Sequence, residues 1–274
     1  MPELPEVETI RRGLEQVLPG RVFASVDIYY SGSVKIPTAA ELAAQLPGHR
    51  IIKTGRRGKY LQLYLDDQSV IIIHLRMTGR LIFSHTAWEP DKHTHIVFNF
   101  TDGSCLAFHD VRKFGTIYWT APERLCQIKG LACLGPEPLE QEFCVQYMAD
   151  KLANRKSSIK ALLLNQEFVA GLGNIYADEA LHRAAVRPDR PAASLTKAEI
   201  KALYHAVCEV LKEAIKWRGT TMSDYRDANG GSGQFQQHLR VYRRAGQPCQ
   251  QCGTSIERIV VAGRGTHFCP RCQK

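Results

Sequence analysis

Apolar residues near the start fall at Val7, Ile10, Leu14, Val17 and Leu18. Steps of three and four put them on one face of a helix, predicted over 5–18 and stopped by Pro19-Gly20. The period then changes. Segments 22–30, 50–54, 59–65, 70–75, 95–100, 105–109 and 116–119 read as strands. Asp66-Asp67, Thr78-Gly79 and Asp102-Gly103 punctuate them as turns. Many short strands with hairpin signals predict a β-sandwich or barrel, with the first helix packed on its edge.

The texture shifts near residue 130. Residues 134–138, LGPEP, read as a rigid linker, and 140–217 carry a helical pattern. Over 197–216 the apolar positions are Ile200, Leu203, Val207, Val210, Leu211 and Ile215. Residues 219–233, GTTMSDYRDANGGSG, have no period and are rich in glycine, so they read as a loop. The tail from Phe235 reads as a short β-rich module. The expected organisation is a multi-domain α+β chain divided as 1–131, 132–234 and 235–274. No apolar run is long enough to span a membrane. Glutamates precede the first basic residue, the reverse of a signal peptide. With no heptad or surplus apolar helix, a monomer is expected.

Cysteine spacing adds the first chemistry. Cys249-x2-Cys252 and Cys269-x2-Cys272 stand sixteen residues apart, the pattern of a four-thiolate tetrahedral zinc site. Four protein ligands leave no position for water, so one structural Zn²⁺ is expected. Matched pairs around a basic hairpin, outside any βαβ context, favour this over two redox pairs. A tail with so little core would take much of its folding free energy from the metal. The other five cysteines read as buried small hydrophobes in a reducing cytoplasm.

Charge points to the partner. The net charge is +9, and residues 235–274 hold seven Lys/Arg against one acid, Glu257. Such an excess favours a polyanion, with nucleic acid first. Arg264, between two glycines, could bring a planar fork to a phosphate or simply sit solvated on a turn.

Loss of Met1 would expose Pro2 as a secondary amine. An α-amino group of pKa roughly 7.7–8.0 is about one-tenth deprotonated at pH 7. Such an amine attacking a sugar C1′ gives an iminium ion, and Glu3 beside it could shuttle a proton. On its own, Pro-Glu is equally an ordinary processed terminus.

The blocks MPELPEVETIRR (1–12), RRGKYL (56–61), HLRMTGR (74–80), DVRKFGT (110–116), LGPEPL (134–139), AGLGNIYADEAL (170–181) and AGRGTHFCPRCQ (262–273) converge. Together they resemble the bacterial formamidopyrimidine-DNA glycosylase family from the first residue nearly to the last. The resemblance implies an N-terminal β-sandwich with flanking helices, a helix–two-turn–helix domain and a β-hairpin zinc finger. It also implies double-stranded DNA running through a basic cleft between the halves.

It implies roles as well. Pro2 would be the Schiff-base nucleophile and Glu3 the proton donor. Lys59 would assist proton transfer and touch phosphate, and Arg264 would serve the second elimination. His93, Arg112, Arg155 or Lys156, Asn174 and Tyr242 match DNA-contact positions. Met77, Arg112 and Phe114 match a trio that fills the void left by an extruded base, and Arg112 could hydrogen-bond the orphaned cytosine. Without the family, Met77 and Phe114 would read as core residues at strand ends. The 219–233 loop resembles the loop that caps the lesion. Glycines before Asn174 let amides approach a phosphate. Thr78 departs from the acidic or small residue expected after Met77.

The implied activity is base-excision repair in a bacterial cytoplasm: removal of 8-oxoguanine or formamidopyrimidines, then β,δ-elimination. An endonuclease VIII-like enzyme for oxidised pyrimidines is one alternative, which the ELPEVET start and the Met77/Arg112/Phe114 set disfavour. The other is a non-catalytic damaged-DNA-binding zinc protein, as retained Met1 or acetylated Pro2 would give.

Overall fold

The structure is a computed structural model that describes residues 1–221 and 231–274. The chain divides into two compact units, residues 1–132 with 217–234 and residues 133–216 with 235–274.

The first unit opens with α1 (Leu4–Glu15), then β1 (Phe23–Ile28), β2 (Val34–Ile36), α2 (Ala39–Gln45), β3 (Ile51–Arg57), β4 (Tyr60–Leu65) and β5 (Val70–His74). β6 (Gly79–Ser84), β7 (Thr94–Phe100), β8 (Cys105–Asp110), β9 (Thr116–Thr120) and α3 (Lys129–Ala132) follow. The strands form two sheets, β1-β7-β8-β6 and β2-β9-β5-β4-β3. Every pairing is antiparallel except β2 with β9. One core joins them. Val7, Ile10 and Leu14 of α1 meet Leu81, Phe98 and Phe108 of one sheet and Leu61, Ile71, Ile73 and Ile117 of the other. Each such side chain contributes about 1.5–3 kcal/mol by burial. Pairing of β6 with β8 sets Gly79 opposite Asp110, and pairing of β4 with β5 sets Tyr60 opposite His74.

Several expectations change. The first helix ends at Glu15 rather than residue 18, because the chain tightens through Val17 N–H to Leu14 O (3.1 Å). Leu18 remains fully buried, so the apolar face outlasts the helix. Four elements went unpredicted, the short α3 among them. α2 is announced by a capping box between Thr38 and Glu41. β2 is only three residues long. β6 begins at Gly79, inside what reads as turn chemistry; a tight turn, closed by Gly79 N–H to Leu75 O (3.0 Å), runs straight into the strand.

The second unit holds α4 (Val145–Leu152), α5 (Ile159–Leu164), α6 (Asn174–Arg183) and α7 (Lys197–Lys216), then a hairpin of β10 (Glu257–Val261) and β11 (Arg264–Phe268). Ile200, Leu203, Val207, Val210 and Leu211 form the buried face of α7, and α6 is buried along almost its whole length. Two turns join α5 to α6. Gln166 braces them, its Nε2 donating to Leu164 O (3.1 Å) and Leu172 O (2.7 Å). The hairpin turn is Ala262-Gly263, both at positive φ (50° and 71°), as a two-residue turn with matching twist requires.

Candidate functional site

In the first unit, Pro2 and Glu3 are both buried and lead into α1. Glu3 is the helix N-cap, in a reciprocal box with Glu6. Glu6 Oε2 accepts from Glu3 N–H (2.7 Å), and its Oε1 accepts from Thr220 N–H (2.7 Å). One carboxylate thus ties the chain's start to the base of the 219–233 segment. The fit is tight: a Cβ on Gly219 would lie 2.6 Å from Glu6 Oε1. Gly233 N–H donates to Thr221 Oγ1 (2.8 Å) and Gln234 N–H to Trp217 O (2.8 Å), closing the neck of that segment. Its residues 222–230, where the lesion-capping expectation falls, lie outside the described residues.

Lys59 sits in the turn between β3 and β4 and is buried, one residue before the strand rather than within it. Its charge is felt at His74, whose Nδ1 accepts from Arg76 N–H (3.0 Å) and whose ring meets Tyr60 edge-on. Burial, with Arg76 and Lys59 nearby, pulls the His74 pKa down to about 3, so the ring is neutral at physiological pH.

Met77 and Phe114 are not core residues at strand ends, as periodicity alone suggested. They are 43% and 51% exposed, on the tips after β5 and β8. Arg112 lies between them, with Nη1 3.0 Å from Met77 Sδ and its guanidinium 4.9 Å from the Phe114 ring centroid. The three therefore form one exposed group of two apolar wedges and a hydrogen-bonding fork. His93 is half-buried beside His109, ring centroids 5.4 Å apart.

In the second unit, Asn174 is the first residue of α6, and its Nδ2 donates to Gly265 O (3.0 Å) at the hairpin. Arg264 is exposed at the first position of β11, paired with Val261 across the hairpin turn. Behind it lies a network that the sequence reading missed. Lys160 and Asp178, both fully buried, pair at 2.5 Å. Lys160 Nζ also donates to Thr266 Oγ1 (2.8 Å), and Asp178 Oδ2 accepts from His267 N–H (2.9 Å). Glu179 takes the backbone N–H groups of Arg240, Val241 and Tyr242 at 2.8–3.0 Å. Burial pushes its pKa up against the pull of those three donors. Tyr242 is half-buried, its ring edge-on to His267. Arg155 and Lys156 are exposed between α4 and α5.

The four cysteines converge. All four Sγ atoms lie within 4.8 Å of one another, with Cys249–Cys272 at 3.9 Å and Cys252–Cys269 at 3.4 Å. A tetrahedron with Zn–S bonds of 2.3 Å has S···S edges of about 3.8 Å, so the cluster fits the ion. Crowding supplies a second argument. Burial and the neighbouring sulfurs push the Cys272 thiol up, a penalty that a divalent cation relieves. One structural zinc is the cofactor. Gln273 locks the second knuckle, its Oε1 accepting from Cys269 N–H (2.8 Å) and its Nε2 donating to Val186 O (2.8 Å).

Comparison with known proteins places these features. Three family models match: the formamidopyrimidine-DNA glycosylase N-terminal domain over residues 1–117, its H2TH domain over 134–226, and the zinc finger found in FPG and IleRS over 246–274. The formamidopyrimidine-DNA glycosylase of Desulfitobacterium hafniense is 48% identical over 273 residues, covering all of both chains. That of Pelotomaculum thermopropionicum is 46% identical over 274 residues, covering all of this chain and 99% of its own. The Lactococcus lactis Fpg in complex with DNA containing an abasic site superposes with a TM-score of 0.93 at 37% identity, over 99% of each chain. The same protein bound to DNA containing an oxidised pyrimidine gives 0.92 at 38% identity, over all of both chains.

Proposed function

The chain belongs to the formamidopyrimidine-DNA glycosylase family, and from that premise we propose that it excises oxidised purines from duplex DNA and then cuts the strand. The observation that carries this reading is the buried Pro2-Glu3 start, locked into α1 and tied through Glu6 to Thr220.

Removal of Met1 converts the Pro2 nitrogen from amide to secondary amine. Its lone pair forms a bond to C1′ of an extruded nucleoside as the bond from C1′ to the base breaks, and the proton shed by the resulting ammonium neutralises the departing base. Glu3 protonates the sugar ring oxygen, the ring opens, and an iminium ion remains on Pro2. Loss of a C2′ proton then expels the 3′ phosphate, and a second elimination expels the 5′ phosphate. Lys59 assists proton transfer near the lesion phosphate, and Arg264 serves the second elimination. Hydrolysis of the iminium returns the free amine. His93, Asn174, Tyr242 and one of Arg155 and Lys156 hold backbone phosphates, which fix register without reading sequence. Met77, Arg112 and Phe114 enter the space left by the base, and Arg112 bonds the orphaned partner. Thiols that must stay reduced to hold zinc support a cytoplasmic location.

The test is end-group analysis on a duplex with 8-oxoguanine opposite cytosine. The expected products are free base and a one-nucleotide gap with phosphate at both ends. Base release without strand cleavage, or no release, refutes the reading. The L. lactis complex with an oxidised pyrimidine supports a wider lesion range, measured by the same assay on a thymine-glycol duplex.

A further inference from the structure

Asp110 is fully buried at the end of β8, and its carboxylate is filled by donors. Oδ2 accepts from Phe114 N–H (2.8 Å) and Gly115 N–H (2.7 Å). Oδ1 accepts from Arg112 N–H (3.2 Å) and from the Thr78 hydroxyl. The Thr78 hydroxyl in turn accepts from Arg112 N–H (3.1 Å). Asp110 N–H donates to His93 O (2.9 Å). Among these contacts Thr78 is the one that comes from the β5–β6 connection bearing Met77; the His93 contact ties Asp110 to the start of β7, and the rest order the 110–115 turn itself.

The backbone around this node is shaped for it. Arg76 and Lys113, one residue from Met77 and from Arg112 and Phe114 respectively, stand at positive φ (54° and 60°). Such residues persist where surrounding contacts over-determine them. A Cβ on Gly115 would lie 2.4 Å from Phe108 Cζ and 3.2 Å from Asp110 Oδ2, so any side chain at this second donor to Oδ2 would have to displace the buried Phe108 ring. The β6–β8 ladder ends at Gly79 and Asp110, so Met77 and residues 112–114 lie beyond its last rung and keep freedom there that they lose on entering DNA. Ordering them beforehand lowers that cost.

We propose that Thr78 is a positioning residue. Its hydroxyl, bridging Asp110 and the Arg112 amide, locks the Met77 tip to the Arg112–Phe114 turn so that the trio enters the helix as one preformed wedge. This rests on the function proposed above, and it places the effect on base extrusion rather than on sugar chemistry. A pre-existing abasic site has no base to extrude, so it depends less on the lock.

The experiment compares the parent with Thr78→Val and Thr78→Ser under single-turnover conditions. The substrates are a duplex with 8-oxoguanine opposite cytosine and the same duplex with an abasic site. Loss of one hydrogen bond to a buried carboxylate predicts a fall of about tenfold to a hundredfold in base excision by Thr78→Val. Strand cleavage at the abasic site should fall by less than about threefold, melting should drop by only the few degrees that one lost hydrogen bond costs, and Thr78→Ser should restore most of the excision rate. Equal loss on both substrates, or loss on neither, overturns the proposal. A second measurement uses the parent alone, following amide exchange without DNA. The Arg112, Phe114 and Gly115 amides should be protected, and exchange at unstructured rates overturns the proposal even where Thr78→Val fails to fold. A parent inert on both duplexes would refute the proposed function, leaving amide exchange to decide the lock.

Discussion

The two units hold the exposed groups proposed to meet DNA by different means. In the first, Met77, Arg112 and Phe114 project from strands rooted in a core that spans two sheets and α1, and one buried carboxylate finishes the tip. In the second, Arg264 projects from a two-stranded hairpin whose local cluster, among the described residues, is Val241 and Ile256 with the four cysteines, while Val261 and Phe268 of the hairpin are buried beside it. There the metal site and the buried Lys160–Asp178 pair stand where a core would. A large core tolerates the loss of any one polar contact. A small module has each of its few anchors in series.

The largest expected break in that comparison is loss of the metal. Zinc binding in small modules is worth about 10–16 kcal/mol, far more than so small an apolar cluster supplies. Chelation, or Cys269→Ser, should expose the 235–274 backbone to hydrogen exchange and abolish DNA binding, while β4 and β5 amides stay protected. Equal exposure of both units would remove the distinction.

Next comes the ion pair. Lys160→Met leaves Asp178 charged and unpaired in the interior, which costs about 3–5 kcal/mol. The double change Lys160→Met with Asp178→Leu should unfold at higher denaturant than the single one, because an apolar pair removes the stranded charge. A double variant less stable than either single would show that the pair does more than neutralise itself.

The third effect is a pH dependence to which His74 contributes in the first unit and His182, lowered to about 4 by burial, in the second. The His74 pKa is lowered in the folded state to about 3 from an ordinary 6.5. Between these values the unfolded chain binds the extra proton, so stability rises with pH. The contribution is complete above about 6.5 and is lost as pH falls toward 3. His74→Asn, which can still accept from Arg76 N–H, should reduce the slope of melting temperature against pH across that window, with His182 supplying the remainder. An unchanged slope would place the titration elsewhere.

The sequence made some of this legible and hid the rest for physical reasons. The CxxC pairs announce their geometry because metal coordination demands fixed spacing. The α7 face is visible because burial there follows the helical period. The 110–116 block drew attention to Arg112 and Phe114 but not to Asp110, although an acid opening a turn is a known backbone organiser. Thr78 looked like a departure from pattern; its hydroxyl acts on a residue 32 positions away, and no local period encodes that. Lys160 and Asp178 lie 18 positions apart with nothing local to mark them, and only the fold buries them together. Met77 and Phe114 are the reverse case, apolar residues that hydrophobicity assigns to the core and the fold leaves exposed.

Borohydride trapping tests the chemistry at the chain's start most directly. Reaction with a duplex carrying 8-oxoguanine opposite cytosine, followed by peptide mapping, should give one reduced adduct on the nitrogen of Pro2 in chains that have lost Met1. An adduct on Lys59 or another amine, or cleavage with no trappable adduct, would contradict it.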